Sequence, residues 1–257
     1  MKIGIIGAMD IEVASLVKSL SPSTPQAATA ERAKDSTPQA ATAEQKTKTP
    51  QTKAGMAFHE GRIGGKDVVV VKCGVGKVNA GMCVQILCDM YGVTHIINTG
   101  AAGSLDNRIN IGDAVVSTDA MYHDVDATVF GYRKGEVPQL GVVSFAADTR
   151  LREAAVSAIE SAAPDIEVFE GRIASGDQFV CTREQKAQII ADTGARCTEM
   201  EGAAIAQAAF LNHIPFVIVR VISDKADESV QIAYDEFEKK AAADCAALVK
   251  ELVTRLQ

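Results

Sequence analysis

Carboxylates recur in this chain just where apolar runs stop. The stretch from 196 to 227, RCTEMEGAAIAQAAFLNHIPFVIVRVISDKAD, holds two such sites. An extended piece ends in Glu199-Met200-Glu201, and Ala-rich residues of helical type follow. A Pro-led apolar run over 215–222 then reads as a buried strand and ends in Ser223-Asp224. A third acid, Glu12, lies just past a β-branched first strand, Lys2–Gly7. Ligands of open α/β sheets bind at the carboxyl ends of strands. Acids there can give or take protons in a reaction. The plainer alternatives are a loop or cap carboxylate at Asp224 and helix N-terminal charges at Glu12 and Glu201.

The elements that must position these acids alternate strand and helix. After Gly7-Ala8-Met9, Asp10 can cap a helix over 11–20. Residues 57–63 and 67–73 read as a hairpin turning at Gly64-Gly65. The second of these ends in Gly74-Val75-Gly76-Lys77, a close-approach loop without P-loop or dinucleotide spacing, and a helix over 78–91 follows. The strand over 94–99 ends in GAAGS; residues 112–118 and 119–126 are extended. The segment 122–132, YHDVDATVFGY, reads as a surface loop or interface. A helix over 148–163, a strand over 166–175 ending in Gly176-Asp177-Gln178-Phe179, a short helix over 183–192 and an amphipathic helix over 235–256 complete the pattern. The expected fold is a single α/β domain, a three-layer αβα sandwich with a mixed central sheet.

Residues 21–55 are different material. The nonapeptide STPQAATAE occurs at 23–31 and again at 36–44, and Leu, Ile, Val, Phe and Met are absent throughout. Such a segment cannot bury enough apolar surface to offset its ordering entropy. It is expected to be a low-complexity, disordered insertion outside the functional site.

Composition narrows the partners. A net charge of -7 without a basic cluster argues against nucleic acid, which needs a positive face. No run of about 18 apolar residues is present to span a membrane, and no secretory leader is visible. The six cysteines form no CxxC and read as buried free thiols of a reducing cytoplasm. The scattered histidines offer no zinc spacing.

Taken together and in order, MKIGIIGAMDIE, CGVGKVNA, INTGAAGS, YHDVDATVFGY, SGDQFV, EMEGAAIA and VRVISDKAD resemble the 5'-methylthioadenosine/S-adenosylhomocysteine nucleosidases of the nucleoside phosphorylase superfamily. The resemblance covers nearly all of the chain outside 21–55. It implies a nucleoside phosphorylase-like fold, a cytoplasmic homodimer, and hydrolysis of the N-glycosidic bond of adenine thionucleosides without metal or organic cofactor. It implies Asp224 as the acid protonating adenine N7, oriented by Ser223, and Glu12 as the base activating water. Glu201 would hold the ribose hydroxyls, with Met200 packed on the sugar, Glu199 close by and Arg220 near the water. Phe179 would stack on adenine and Val180 bind it through main chain. Val75 and Ala101 would line the sugar and water side. Tyr234, where a Phe is common, would wall the alkylthio group, and Phe130 and Pro138 would cap it from the partner subunit. Ala101 departs from the small hydroxyl residue often found there, which removes one hydrogen bond near the water. Two other readings of the same scaffold stay open. One is a phosphate-dependent phosphorylase, against which GAMDIE places acids where a phosphate-binding arginine would sit. The other is a futalosine or aminodeoxyfutalosine nucleosidase. A non-catalytic nucleoside-binding module is disfavoured by the presence of all three acids.

Overall fold

The structure, a computed structural model, describes residues 1–22, 49–228 and 234–256, with the side chains of 234–236 outside the description. Two helical layers sandwich a mixed sheet. β-Branched, apolar runs form its centre: β1 (Lys2–Gly7), β4 (Lys66–Lys72), β5 (His95–Ser104) and β10 (Phe216–Asp224) are almost wholly buried and pair in parallel, β4 and β5 flanking β1 and β10 lying on β5. β3 (Met56–Ile63) joins β4 as the expected hairpin, its Gly64 and Gly65 both at positive φ as a tight two-residue turn requires. β6 (Ala114–Tyr122), β8 (Val168–Ser175) and β9 (Cys197–Glu199) run the other way.

β5 decides the architecture. It pairs with β1 as far as Asn98, with β9 from Gly103, and with β10 along most of its length. The pairings β5–β10, β10–β6, β6–β8, β8–β9 and β9–β5 therefore close a circuit, and β1, β4, β3 and the short β2 (Gln51–Lys53) extend from it as an open wing. Closure is what the flat three-layer expectation did not contain. The αβα layering itself holds. α1 (Asp10–Lys18), α3 (Thr149–Ala162) and α6 (Tyr234–Arg255) bury Val13, Leu16, Leu151 and Leu252 against one face. α2 (Lys77–Tyr91) and α5 (Gly202–Leu211) bury Val84, Leu87 and Ile205 against the other. A smaller cluster under α4 (Arg183–Thr193) joins Val180, Ile189 and Ala226.

Several expectations shift. The two extended stretches 112–118 and 119–126 merge into one strand, β6, which spans only Ala114–Tyr122, and β2 and β7 (Ser144–Ala146) are added edge pieces too short to carry a period. Asp10 does not cap α1: Met9 is the cap residue and Asp10 pairs with Lys72 at the surface. Of the segment 21–55, residues 23–48 lie outside the described residues. Its ends are placed: Ser21 bridges Arg62 and Gln51–Lys53 pairs with β3, so the last residues belong to the sheet.

Candidate active site

Where β5 has left β1 and not yet met β9, residues 99–102 face a gap on one side, and the site fills it. Ala101 N–H, without a strand partner there, donates to Glu12 Oε1 at 3.1 Å. Glu12 sits in the first turn of α1, and its Oε2 accepts Ala8 N–H at 2.6 Å and Met9 N–H at 3.0 Å. The carboxylate, rather than Asp10, thus satisfies the free donors of the helix start. Burial raises the Glu12 pKa, opposed by the Arg220 charge and these three backbone donors. Gly100 is required beneath it, because a Cβ would collide with both Arg220 Nη1 and Glu12 Oε1.

β9 and α5 deliver the next two acids. Glu199 accepts the N–H groups of Glu201 and Gly202, the Ser175 hydroxyl and Arg220 Nη2. Glu201 lines the cavity and accepts Gly76 N–H at 2.8 Å, so the glycine loop after β4 is tied to this end of the cavity. Burial pushes Glu201 up to about 7, with the Glu199 charge adding and Arg220 opposing. Arg220, on β10, is almost wholly buried and does not line the cavity; it bonds Asn98 Oδ1 at 2.7 Å and lies 3.9 Å from Glu201 Oε2. Burial works against its charge, but Glu199, Glu12 and Glu201 together hold it protonated.

Asp224 closes the opposite end. A break in the β10–β5 register between Ile222 and Asp224 turns its carboxyl inward. Oδ1 accepts Ala226 N–H at 2.7 Å and Oδ2 the Ser223 hydroxyl at 2.8 Å. Burial raises its pKa against these two bonds. Gly103 is close-packed here as well, since a Cβ would come 2.8 Å from Asp224 Oδ1.

One cavity gathers Glu12, Val75, Ala101, Phe179, Val180, Glu199, Met200, Glu201, Ser223 and Asp224. Phe179 is half-exposed at its mouth, and Val180 is buried in its wall. Phe130 and Pro138 do not reach it within this chain: Phe130 is 80% exposed on a 3-10 turn, Thr128–Phe130, and Pro138 lines an outer hollow with Val78, Tyr122 and Leu211. Tyr234 opens α6, and its side chain lies outside the described residues. The six cysteines are free, with Cys88 and Cys181 partly exposed.

The family model described as the phosphorylase superfamily matches residues 2–254. The chain belongs to this superfamily. Among curated members it is similar to the 5'-methylthioadenosine/S-adenosylhomocysteine nucleosidase of Treponema pallidum, 41% identical over 226 residues, 79% of this chain and 84% of that one. The nucleosidase so named from Shewanella denitrificans is 39% identical over all of both chains. Among solved members, the nucleosidase of Neisseria meningitidis in complex with methylthio-immucillin-A superposes with a TM-score of 0.86, at 36% identity over 99% of each chain. The futalosine hydrolase of Helicobacter pylori reaches a TM-score of 0.85 at 28% identity, over 100% of this chain and 98% of that one.

Sequence reasoning missed the superfamily site's supports. Asn98 and Ser175 stand inside recognised motifs, but nothing local says that they face Arg220 and Glu199. Lys77, Asp124 and Asp177 were also passed over. Lys77 N–H donates to Asp177 Oδ1 at 2.8 Å, Lys77 Nζ pairs with Asp124 at 2.6 Å, and Asp124 accepts Asp177 N–H at 2.9 Å, which ties the glycine loop to the Phe179 loop. The signal was an acid two residues after each of β6 and β8, and a base at the start of the helix that follows β4.

Proposed function

We propose that this chain hydrolyses the N-glycosidic bond of 5'-methylthioadenosine and S-adenosylhomocysteine, releasing adenine and the thioribose. The observation that carries this reading is the arrangement of acids in the cavity. Asp224, a carboxyl whose pKa burial raises, shares the cavity with Phe179 and Val180, and two more carboxyls, Glu12 and Glu201, line it as well. Among the described residues, no Lys or Arg lines the cavity, which favours water over phosphate as the nucleophile. The full-length similarity to the named nucleosidases supports the substrate class.

Adenine leaves badly as an anion. Asp224, its pKa raised by burial, donates a proton to N7 so that the base departs neutral. Phe179 stacks on the base and Val180 main chain holds its edge. The sugar then carries oxocarbenium-like positive charge, which Glu201 and Glu12 stabilise. Glu201 accepts from a ribose hydroxyl, fixed by Gly76 N–H. Glu12 takes a proton from the water, and its burial-raised basicity suits that role while it remains ionised. Arg220 acts from beneath, balancing the acids it contacts.

The alkylthio end is open in one chain. Val78 (73% exposed), Leu211 and Pro138 line an apolar outer hollow, and Phe130 is exposed on the 3-10 turn that precedes Pro138 in the chain. In our reading a second copy covers this face as a homodimer and brings its Phe130 and Pro138 to the tail. We place the reaction in the cytoplasm, on the free thiols and the small diffusible substrate. The direct test is adenine release from methylthioadenosine with and without phosphate. Release without phosphate, giving free methylthioribose, supports hydrolysis. Release only with phosphate, giving the sugar 1-phosphate, makes the chain a phosphorylase. No release in either case sends the search to futalosine-type nucleosides.

A further inference from the structure

Thr198 belongs to none of the roles above, yet its side chain is placed among them. It is the middle residue of β9, opposite Gly103 of β5 and Ala174 of β8. Residues paired across a sheet project from the same face, and successive residues of a strand from opposite faces. The face is identified twice. A Cβ on Gly103 would lie 2.8 Å from Asp224 Oδ1 and 2.9 Å from Ala226 Cβ, and Ala174 packs in the cluster that holds Val180 and Ala226. Thr198 therefore projects toward Asp224 and Val180, whereas Glu199 after it projects toward Arg220 and Ser175.

The hydroxyl there is unusual. Thr198 lines the cavity and is 5% exposed, and among the described residues its Oγ1 has no hydrogen-bond partner. A buried hydroxyl without a partner is disfavoured, and a valine would fill the same volume without that penalty. A polar group kept dry and unpaired against a ligand cavity is matched when the ligand supplies the missing partner.

We infer that Thr198 is a base-recognition residue, its Oγ1 hydrogen-bonding a polar atom on the purine rim beside the one that Asp224 protonates. The inference rests on the purine reading of this end of the cavity. A purine rim alternates ring nitrogens with an exocyclic group, and a threonine hydroxyl can donate to the first or accept from the second. Thr198 then adds to Val180 main chain a second polar contact that senses the base and not the sugar or its tail.

The test is calorimetric binding of adenine, with thermal melting of the ligand-free chain, for the unaltered protein, Thr198→Val and Thr198→Ser. Valine preserves the shape and removes the hydroxyl; serine keeps the hydroxyl. Thr198→Val is expected to bind adenine about 3- to 12-fold more weakly, the range of one hydrogen bond. Its ligand-free Tm is expected to be equal or higher, because no bond within the protein is lost. Thr198→Ser is expected to stay within about twofold of the unaltered affinity. Unchanged adenine affinity in Thr198→Val, or a lowered ligand-free Tm accompanying it, would show the hydroxyl to be paired inside the protein and overturn the inference while leaving the nucleosidase reading intact. Failure of the unaltered chain to bind adenine would overturn both.

Discussion

Burial raises the Asp224 pKa, and both hydrogen bonds it accepts work against that rise. Replacement by Asn retains the shape and removes the transferable proton. Asp224→Asn is expected to lower kcat by about 10²- to 10⁴-fold while adenine still binds, and single-turnover adenine release with parallel calorimetry checks this. The pH profile follows from the same signs. The proposed mechanism needs Asp224 protonated and Glu12 ionised, so kcat/KM is expected to fall as pH rises through the raised Asp224 pKa and as it drops through the raised Glu12 pKa. Glu201 makes a stability statement. Its folded pKa of about 7 stands above its ordinary 4.5, so the folded chain binds more protons than the unfolded one between those values, and Glu201 costs stability as pH rises across that window. Glu201→Gln removes the cost. The Tm of Glu201→Gln relative to the unaltered chain is expected to be higher at pH 8 than at pH 5; a difference that does not change with pH would place the Glu201 pKa near its ordinary value. The sequence could name all three acids, but not these shifts, which come from chain segments far away in sequence.

At the scale of elements, β5 carries the site because its neighbour changes between Asn98 and Gly103. Its glycines serve close approach. Gly100→Ala is expected to destabilise the chain by about 1–3 kcal/mol through overpacking against Arg220 and Glu12, and to lower kcat with it; urea melts and steady-state rates measure both. The wing strand β3 allows a second forecast. Ser21 stands opposite Arg62 and Gln51 opposite Phe58, so only the three positions facing Gly61, Glu60 and His59 separate them on that edge. Deleting 25–50 leaves Pro22, Ser23 and Thr24 to cross those three positions. Such a deletion is expected to fold and to retain kcat/KM within about twofold, since shortening a surface connection changes closure entropy little. A folded deletion with collapsed kcat/KM would give the segment a role in the site. The long strands and helices were legible in the sequence, because apolar period and flanking glycines are local signals. β2 and β7 were not, since three residues carry no period; β9 was read as extended, but its direction was not legible, since strand direction is set by partners.

For the molecule as a whole, a closed circuit of strands supplies an interior, and the proposed homodimer would use the outer α2 face. Val78→Asp places a charge on that apolar face. It is expected to shift the chain toward monomer in sedimentation and to lower kcat/KM for methylthioadenosine about tenfold or more, as loss of an interface anchor does, while adenine binding persists. Equal sedimentation and activity would leave Phe130 and Pro138 without a role at the tail. The sequence by itself determined the superfamily, the strand and helix order, and which acids, glycines and aromatics stand after the strands, since each is written in a few adjacent residues. Only the tertiary structure decided that Arg220 is buried against Asn98 and Glu199, that Glu12 rather than Asp10 serves the start of α1, and that the Thr198 hydroxyl is buried without a partner among the described residues. Those facts depend on which distant segments exclude water and meet across the sheet, and burial and pairing are properties of the packed chain.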